Sequence, residues 1–470
     1  MTLDPLDYLE KRHEDEEATD ASSSLLDHPR IGKVQTPTHG LSESEAWLER
    51  LYASERMPRD KKPFVLDPLR SYGAWMASID QPPLCLLDGM SQTATLPFGF
   101  GDTRLLQAYL DGVFGDTILS AEDISVMPHP AARSFASTLQ SLLPGFRTVC
   151  FVNSGAEANE KALGLCWAHR THPTQRRVLA FEGAFHGRTL LALHATANPS
   201  KRGPYELAGY EAQFAPFPVC NPHHASTIRA SASWLADLYH HGVAHLAHAV
   251  DRSKDTQLAT DIDALQTLET LLKAGECFAC ILEPMQSEGG DRYASTRFFQ
   301  AVRVLTRKYH VPLIMDEVQT GFGLGGSFCW HQQFTFMQYD GTPDLPDCVT
   351  FAKRAQVGVV LAHVEDSEPS TSHGASLVRG RLHAELLAKD TYVKPLQAHV
   401  SARLETLHTQ FPSLMLHPRV TGYALAFDLP TPKHLEQYLA QRMSHGVMVF
   451  GAGDRTVRYR LSTAFADTEL

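Results

Sequence analysis

The sequence has few cysteines, no long apolar run and no recognisable leader segment. Eight cysteines in 470 residues indicate a reducing compartment and not a disulfide-stabilised secreted protein. No run of eighteen apolar residues occurs, so the sequence predicts no membrane span. The first residues, MTLDPLDYLEKRHEDEE, lack the basic and then apolar order of a signal peptide. Together these absences predict a cytoplasmic protein.

Two clusters of metal-ligand side chains lack the partners that a metal site requires. Cys277 and Cys280 have no second pair and no histidine at ligand spacing, and their apolar surroundings predict a buried strand. His241, His245 and His248 fall on one predicted helical face, but no carboxylate is interleaved with them. The sequence therefore predicts no metal.

The negative charge is concentrated at the start of the chain. Residues 1–30 hold nine carboxylates against three Lys or Arg side chains, whereas the whole chain has a net charge of −11. We expect residues 1–40 to form an acidic, poorly ordered tail. Because an acidic surface repels phosphates, neither nucleic acid nor an anionic membrane is an expected partner. The remaining composition, 43% hydrophobic, is that of a globular protein with a large core.

The centre of the chain, from about residue 105 to 365, alternates predicted helices with short apolar runs. Such alternation is typical of an α/β fold, in which a mostly parallel sheet is covered by helices on both faces. The runs are TVCFV at 148–152, RVLAF at 177–181, CFACIL at 277–282, VPLIM at 311–315 and CVTFA at 348–352.

Polar loops follow all five apolar runs. Ligands of open α/β sheets bind beyond the carboxyl ends of the strands, so these loops are expected to meet at one site. The loops contain Asn153-Ser154-Gly155-Ala156, residues 182–188, Glu283-Pro284, residues 316–321 and Lys353.

Three of these loops carry groups with a specific chemical use. NSGAEANEKAL at 153–163 predicts a helix whose open N–H groups could bind phosphate, although structural turns also use these residues. Asp316 follows an apolar run, so its carboxylate is expected to be buried and to need a cationic partner, a ring nitrogen or a protein arginine. Burial of Lys353 would lower its pKa and make it nucleophilic, whereas a lone lysine is more often a surface charge.

Aromatic and cationic side chains complete the set. Phe185 and His186 offer faces on which a flat ring can stack, and Arg188 offers a planar group for a carboxylate. A phosphate site, a carboxylate for a ring nitrogen, a stacking aromatic and an amine for an aldehyde match the functional groups of pyridoxal 5′-phosphate (PLP).

The motifs FVNSGAEANEKAL, GAFHGRT, LEPMQSEGGDR, LIMDEVQTGFG and TFAKRAQVG resemble those of the class III (omega) aminotransferases. The resemblance is co-linear over about residues 85–465. It implies the PLP-dependent transferase fold type I, with a large, mostly parallel sheet domain and a smaller α+β domain. From LEPMQSEGGDR onward, including the terminal VRYR, the sequence looks most like lysine 6-aminotransferases.

The resemblance assigns roles to individual residues. Lys353 matches the lysine that forms a Schiff base with PLP and moves the reaction's proton, and Asp316 matches the carboxylate that keeps the pyridine nitrogen protonated. The other implied cofactor positions are Ser154, Gly155 and Ala156 at the phosphate, Phe185 and His186 at the ring, Val318 behind it, Gln319 near its hydroxyl and Glu283 behind Asp316.

The resemblance also implies a substrate site with two carboxylate-binding arginines. Arg188 matches the arginine that takes one carboxylate, and Arg458 is assigned to a second one. Glu288 matches a glutamate that pairs with such an arginine and swings aside, which lets one pocket accept both the amino donor and 2-oxoglutarate. Thr371 is the candidate for a threonine that reaches the phosphate of the neighbouring subunit's cofactor.

The sequence departs from the family pattern in four places. The segment from Asp316 to Lys353 contains an extra stretch around TFMQYDGTPDLP, and the segment after Lys353 is short and lacks the glycine-rich context expected around Thr371. Leu461-Ser462-Thr463 stands where relatives commonly have prolines. The family's last helix is expected to begin where ADTEL ends this sequence.

The activity implied is the transfer of a terminal (omega) amino group from an amino acid such as L-lysine, L-ornithine or 4-aminobutyrate to 2-oxoglutarate. It would proceed in two half-reactions through pyridoxamine phosphate. A PLP-dependent aminomutase, racemase or decarboxylase is an alternative, which the two carboxylate sites disfavour. A catalytically silent scaffold is another; the shortened loop favours it, whereas Lys353 and Asp316 disfavour it.

The resemblance also implies a domain division and a homodimer with shared active sites. After the 1–40 tail, residues 41–95 are expected to contribute to the small domain and residues 96–365 to form the PLP-binding large domain. Residues 366–470 are expected to complete the small domain.

Overall fold

The computed structural model describes residues 27–28, 32–33, 42–52, 64–120, 122–203, 211–248, 250–251, 253–366, 368, 370–466 and 469. Most of the predicted 1–40 tail lies outside the described residues. Its two described pieces pair as short antiparallel strands. Within the described residues, no helix is both long enough and apolar enough to cross a membrane.

The strands are numbered along the chain. They are β1 (Asp27–His28), β2 (Gly32–Lys33), β3 (Leu66–Tyr72), β4 (Trp75–Ser78), β5 (Cys85–Asp88), β6 (Thr148–Val152), β7 (Arg177–Phe181), β8 (Ala212–Ala215), β9 (Cys277–Leu282), β10 (Leu313–Asp316), β11 (Cys348–Phe351), β12 (Gly358–Ala362), β13 (Leu416–Thr421), β14 (Ala424–Asp428), β15 (Val447–Met448), β16 (Phe450–Ala452) and β17 (Thr456–Arg460).

The helices are numbered in the same way. They are α1 (Ser42–Tyr52), α2 (Thr103–Leu110), α3 (Pro130–Leu142), α4 (Gly155–Ala168), α5 (Leu190–His194), α6 (Pro199–Arg202), α7 (Pro222–Ala225), α8 (Ala232–His241), α9 (Val243–His248), α10 (Thr256–Lys273), α11 (Thr296–Lys308), α12 (Gly374–Leu387), α13 (Val393–Gln410) and α14 (Pro432–Gln441). Short 3-10 turns lie at Gly115–Ile118, Trp330–Phe334 and Lys353–Ala355, and Ser91–Ala94 forms a left-handed turn.

A seven-stranded sheet forms the centre of the molecule, in the order β6-β12-β11-β10-β9-β7-β8. Its neighbouring strands are parallel except for β12, which is antiparallel to both β11 and β6. This arrangement confirms the predicted α/β class. All five predicted strands are present, whereas β8 and β12 were not predicted.

Alternate residues of these strands enter two different cores. Phe151 and Leu179 belong to one buried cluster together with Phe298 of α11. Cys150 and Val178 belong to the other, together with small residues of α4. Side chains of a strand point alternately to opposite faces, so both faces of the sheet are buried. The loops that follow the ends of the strands are the part of the sheet that helices do not cover.

Two smaller sheets lie outside this centre, in the orders β15-β5-β4-β3 and β13-β14-β17-β16. The parallel pairing of β15 with β5 joins residues 447–448 to residues 87–88. Segments from the two ends of the described chain thus share one sheet. The division at residues 95 and 365 stays a prediction.

Candidate active site

A cleft of about 510 Å³ lies beyond the carboxyl ends of the central strands. All five loops that the sequence singled out contribute to its lining. The predicted site residues in this lining are Ser154, Gly155, Ala156, Phe185, His186, Arg188, Glu283, Glu288, Asp316, Val318, Gln319 and Lys353. These residues span two hundred positions of the chain, and the parallel sheet brings them together because it places these loops at one edge.

Asp316 ends β10 at the base of the cleft and is only 4% exposed. Its Oδ2 accepts a 2.7 Å hydrogen bond from Asn159 Nδ2 and lies 2.7 Å from His186 Nδ1. Its Oδ1 accepts from the Val318 backbone N–H at 3.0 Å. Asn159 is fixed in turn by Thr350, whose hydroxyl donates to Asn159 Oδ1 at 2.7 Å. The carboxylate is therefore buried and held in one orientation without an arginine or lysine partner among the described residues.

The amino end of α4 forms one wall of the cleft. Ser154 caps this fourteen-residue helix and accepts a hydrogen bond from Glu157 N at 3.2 Å. A Cβ at Gly155 would lie 2.5 Å from Val318 Cγ1, so only glycine fits against this neighbour. The N–H groups of the first helical turn and the helix dipole make this wall suitable for a phosphate.

Lys353 follows β11 and adopts a left-handed backbone conformation with φ of 47°. Burial lowers the pKa of its amine to about 8, and the positive charges of Arg458 and Arg460 act in the same direction. No hydrogen bond or ion pair joins its Nζ to another described residue. A neutral amine is thus available at this position near physiological pH.

Glu283 links two backbone segments that line the cleft, one at Phe185 and one at Ser287. Its two carboxylate oxygens accept hydrogen bonds from the backbone N–H groups of Phe185, at 3.0 Å, and Ser287, at 3.2 Å. Burial, together with the nearby charge of Asp316, raises the pKa of this carboxyl well above its usual value. Glu283 thereby fixes the backbone that carries Phe185.

Three charged side chains converge at the mouth of the cleft. Glu288 lies between two cations: its Oε1 is 2.6 Å from Lys201 Nζ, and its Oε2 is 2.7 Å from Arg458 Nη2. Burial would raise the pKa of Glu288, but Arg458 and Lys201 outweigh it and lower the pKa to about 2. Arg188 is exposed and lines the same cleft.

A family model described as "Aminotransferase class-III" matches residues 56–369. The chain belongs to the class III aminotransferases. These enzymes depend on PLP, so the predicted family, cofactor and transaminase class are confirmed.

Relatives of this aminotransferase include enzymes named for 4-aminobutyrate and for L-lysine. The 4-aminobutyrate aminotransferase of Dictyostelium discoideum is 26% identical over 476 residues, which cover 92% of this chain and 86% of that protein. The L-lysine-epsilon aminotransferase of Mycobacterium tuberculosis is 29% identical over 375 residues, 72% of this chain and 75% of the relative. Among solved structures, the lysine aminotransferase of M. tuberculosis in its internal aldimine form superposes with a TM-score of 0.75 at 26% identity. The superposition covers 91% of this chain and 96% of the other. The predicted similarity to lysine 6-aminotransferases is confirmed.

The residues of this aminotransferase fit PLP on the geometry of the site alone. Asp316 is a buried carboxylate that lacks a cationic partner, the amino end of α4 leaves N–H groups open, and Lys353 Nζ is unpaired among the described residues. These three features match the ring nitrogen, the phosphate and the aldehyde of the cofactor.

Two predicted residues, Arg458 and Thr371, lie outside the cleft lining. Arg458, in β17, does not line the cleft but reaches it through Glu288. Gln319 lines the cleft, and its Oε1 accepts a 2.8 Å hydrogen bond from Arg460 Nε. Thr371 lies outside the cleft lining, and its N–H donates to Phe151 O at 2.9 Å. Its predicted role concerns a neighbouring subunit and stays a prediction.

The potential metal ligands lie away from the cleft lining. The His241 and His245 rings are 4.9 Å apart on neighbouring helices. Within the described ranges, Glu317, Cys329 and His331 form a buried cluster, in which Glu317 Oε1 is 2.5 Å from His331 Nδ1. Glu317 also accepts hydrogen bonds from the backbone N–H groups of Trp330 and His331. Its oxygens are thus already used to fix the 3-10 turn at Trp330–Phe334.

Sequence reasoning missed three residues of the site. Asn159 is a polar residue among the buried alanines of α4, which is a signal that could have identified it. Gln356 lines the cleft, and its amide donates to the backbone oxygens of Thr95 and Lys353. Lys201 lies in NPSKRG, a segment typical of a solvated loop, so nothing local marks it.

Proposed function

We propose that this aminotransferase moves the omega-amino group of an amino acid such as L-lysine, L-ornithine or 4-aminobutyrate to 2-oxoglutarate. The observation that supports this most directly is the ion pair between Glu288 and Arg458 at the mouth of the cleft. The relatives named for 4-aminobutyrate and for L-lysine-epsilon transfer support the same class of donor.

The ion pair between Glu288 and Arg458 can be formed or broken, and the charge that the pocket presents to a ligand differs between the two states. With Glu288 on Arg458, the mouth presents Arg188 as the available guanidinium, which suits a donor that has no carboxylate next to its reacting amine. With Glu288 displaced, Arg458 becomes free for a second carboxylate, which suits 2-oxoglutarate and glutamate. Two alternating acid substrates are what a transamination requires. A racemase or decarboxylase acts on one substrate, so it does not require an arginine that is alternately covered and free.

Bound PLP supplies the aldehyde that exchanges amino groups and the ring that withdraws electrons from the reacting carbon. Ser154, Gly155 and Ala156 would hold its phosphate, Asp316 its ring nitrogen and Gln319 its hydroxyl. Phe185, His186 and Val318 would enclose the ring. Lys353 Nζ, with a pKa of about 8, can take a proton from the amino-bearing carbon of the donor and would deliver it to the carbon of the cofactor's aldehyde group.

An exposed apolar surface supports a homodimer. Within the described ranges 109–120 and 122–127, seven large apolar side chains are exposed to solvent, and Leu119 is 86% exposed. The exposed members are Tyr109, Leu110, Val113, Ile118, Leu119, Val126 and Met127. A monomer rarely leaves so many apolar side chains together in water, so a second copy of the chain is the proposed cover. A cytoplasmic location also stays a prediction.

An absorbance titration of the purified enzyme tests the function. The wild type is compared with Lys353→Ala before and after L-lysine, L-ornithine or 4-aminobutyrate is added, and 2-oxoglutarate is then supplied. We expect a visible cofactor band in the wild type that one donor bleaches and 2-oxoglutarate restores, and an altered band in the variant. A wild type that stays colourless with added PLP would favour a silent scaffold. A band that only alpha-amino donors bleach would contradict omega transfer.

A further inference from the structure

Glu288 binds Lys201 and Arg458 at the same time. The two cations bind different oxygens of the same carboxylate, at 2.6 Å and 2.7 Å. Glu288 can therefore lose either partner and keep the other.

The two partners of Glu288 differ in burial and freedom. The Arg458 side chain is 6% exposed, and its Nη1 is fixed to Ser287 O at 3.0 Å. The Lys201 side chain is 30% exposed and belongs to the four-residue helix α6. Arg458 is thus a fixed group inside the protein, whereas Lys201 carries a partly exposed ammonium. A carboxylate that leaves Arg458 toward solvent moves toward Lys201.

An aromatic ring restricts where the ammonium can go. Lys201 Nζ lies 4.5 Å from the centre of the Phe185 ring, a distance at which the ring face attracts a cation. Phe185 is itself anchored by Glu283 at the edge of the cleft. The ammonium is therefore held beside the mouth of the cleft, within reach of Glu288.

We propose that Lys201 is a positioning residue that retains Glu288 when Glu288 leaves Arg458, and so determines how readily the enzyme accepts a second carboxylate. This role rests on the proposed function, in which Glu288 gates Arg458. Without Lys201, the displaced carboxylate would lose its last cationic partner among the described residues. Opening would then be less favourable, and ligands that need Arg458 would bind more weakly.

Two unreactive acids distinguish binding that requires Glu288 to leave Arg458 from binding that does not. Glutarate carries carboxylates at both ends and needs Arg458, whereas valerate has the same five carbons and only one carboxylate. Their dissociation constants are measured by calorimetry on the PLP-loaded enzyme, for the wild type, Lys201→Met and Lys201→Arg. We expect Lys201→Met to weaken glutarate binding about tenfold, the equivalent of one charge-assisted hydrogen bond, and valerate binding by less than about twofold. Lys201→Arg keeps the charge and should restore most of the glutarate affinity.

A double-mutant cycle tests whether Lys201 acts through Glu288. In a Glu288→Gln background no charged gate remains, so Lys201→Met should cause no further loss of glutarate affinity. Equal weakening of both acids would overturn the proposal, because Lys201 would then bind the first carboxylate directly. Tighter glutarate binding would also overturn it, because Lys201 would then hold the gate closed.

The same titrations distinguish failure of this role from failure of the proposed function. A wild type that binds glutarate no more tightly than valerate contradicts the gated arginine, and with it the proposed function. A wild type that prefers glutarate, together with an unchanged Lys201→Met variant, contradicts only the role of Lys201.

Discussion

Asn159 donates a 2.7 Å hydrogen bond from Nδ2 to Oδ2 of Asp316, the same oxygen that His186 contacts. The same Nδ2 also donates to the backbone oxygen of His186 at 2.7 Å. Asn159 thus fixes both the carboxylate and the segment that carries the histidine. An ionised carboxylate oxygen only accepts hydrogen bonds, so with an ionised Asp316 both Asn159 Nδ2 and His186 Nδ1 are the donors.

Asn159→Ala should therefore weaken PLP binding. A hydrogen bond to a charged group contributes about 1.5–3 kcal/mol, so we expect PLP affinity to fall by roughly ten- to a hundredfold. Titration of the cofactor-free enzyme with PLP, followed by absorbance, gives the dissociation constant. Asn221→Ala is a matched control, since Asn221 only caps the four-residue helix α7. Equal affinities of the two variants would show that Asn159 does not support Asp316.

Gly155→Ala should weaken PLP binding at the amino end of α4, whereas Gly164→Ala in the same helix should not. A Cβ at Gly155 would lie 2.5 Å from Val318 Cγ1, and such overpacking costs about 1–3 kcal/mol. At Gly164 a Cβ would meet nothing within 4 Å, and alanine should stabilise α4 by about 0.5–1 kcal/mol. PLP affinity and melting temperature of the two variants provide the comparison. A Gly155→Ala enzyme with wild-type PLP affinity would contradict this prediction, because the start of α4 would then accept the added methyl group without loss of cofactor binding.

The rate of PLP capture by the cofactor-free enzyme should rise with pH around pH 8. Only the neutral amine of Lys353 attacks an aldehyde, and burial, with Arg458 and Arg460, lowers its pKa to about 8. Because this folded-state pKa lies below the usual lysine value of about 10.4, the protonated form destabilises the fold below pH 8. That destabilisation is relieved as the pH rises through the interval between the two values. Stopped-flow absorbance from pH 6.5 to 9.5 measures the midpoint, and a rate still rising steeply at pH 9.5 would contradict a lowered pKa.

Arg303→Met should destabilise the fold far more than Arg307→Met, although both arginines bind Asp344. Both arginines also bind Asp347, at 2.6 Å and 3.1 Å, but only the Arg303 side chain is fully buried. Its removal takes a buried partner from the carboxylate of Asp344, which is itself 5% exposed, at about 3–5 kcal/mol. Arg307 is 44% exposed, and a pair of that kind contributes about 1 kcal/mol or less. Thermal unfolding of both variants checks this order, and similar melting temperatures would contradict it.

The same network holds the stretch TFMQYDGTPDLP that precedes Lys353. Asp344 lies in this stretch, and its N–H donates to Phe336 O at 2.9 Å. Burial would raise the pKa of Asp344, but Arg307 and Arg303 outweigh it and lower the pKa to about 2. This stretch is therefore anchored on α11 by ion pairs that persist down to strongly acidic pH.

The strand positions were predictable because each depends on a local pattern. The runs at 148–152, 177–181 and 277–282 match β6, β7 and β9 in both bounds. The strands with which they pair in the sheet were not predictable in the same way. β12 lies between β6 and β11, antiparallel to both, and its partner β6 is some two hundred residues away along the chain. Apolar periodicity marks a strand but does not specify which strand it pairs with.

The sequence by itself determined the family, the cofactor chemistry and the residues whose motifs carry them, among them Asp316 and Lys353. Only the tertiary structure decided which groups act on those residues. Asn159 is separated from Asp316 by 157 positions, and Lys201 from Glu288 by 87. The identity of a side chain is a local property, whereas its charge state and its partners depend on burial and distance, which exist only once the chain has folded.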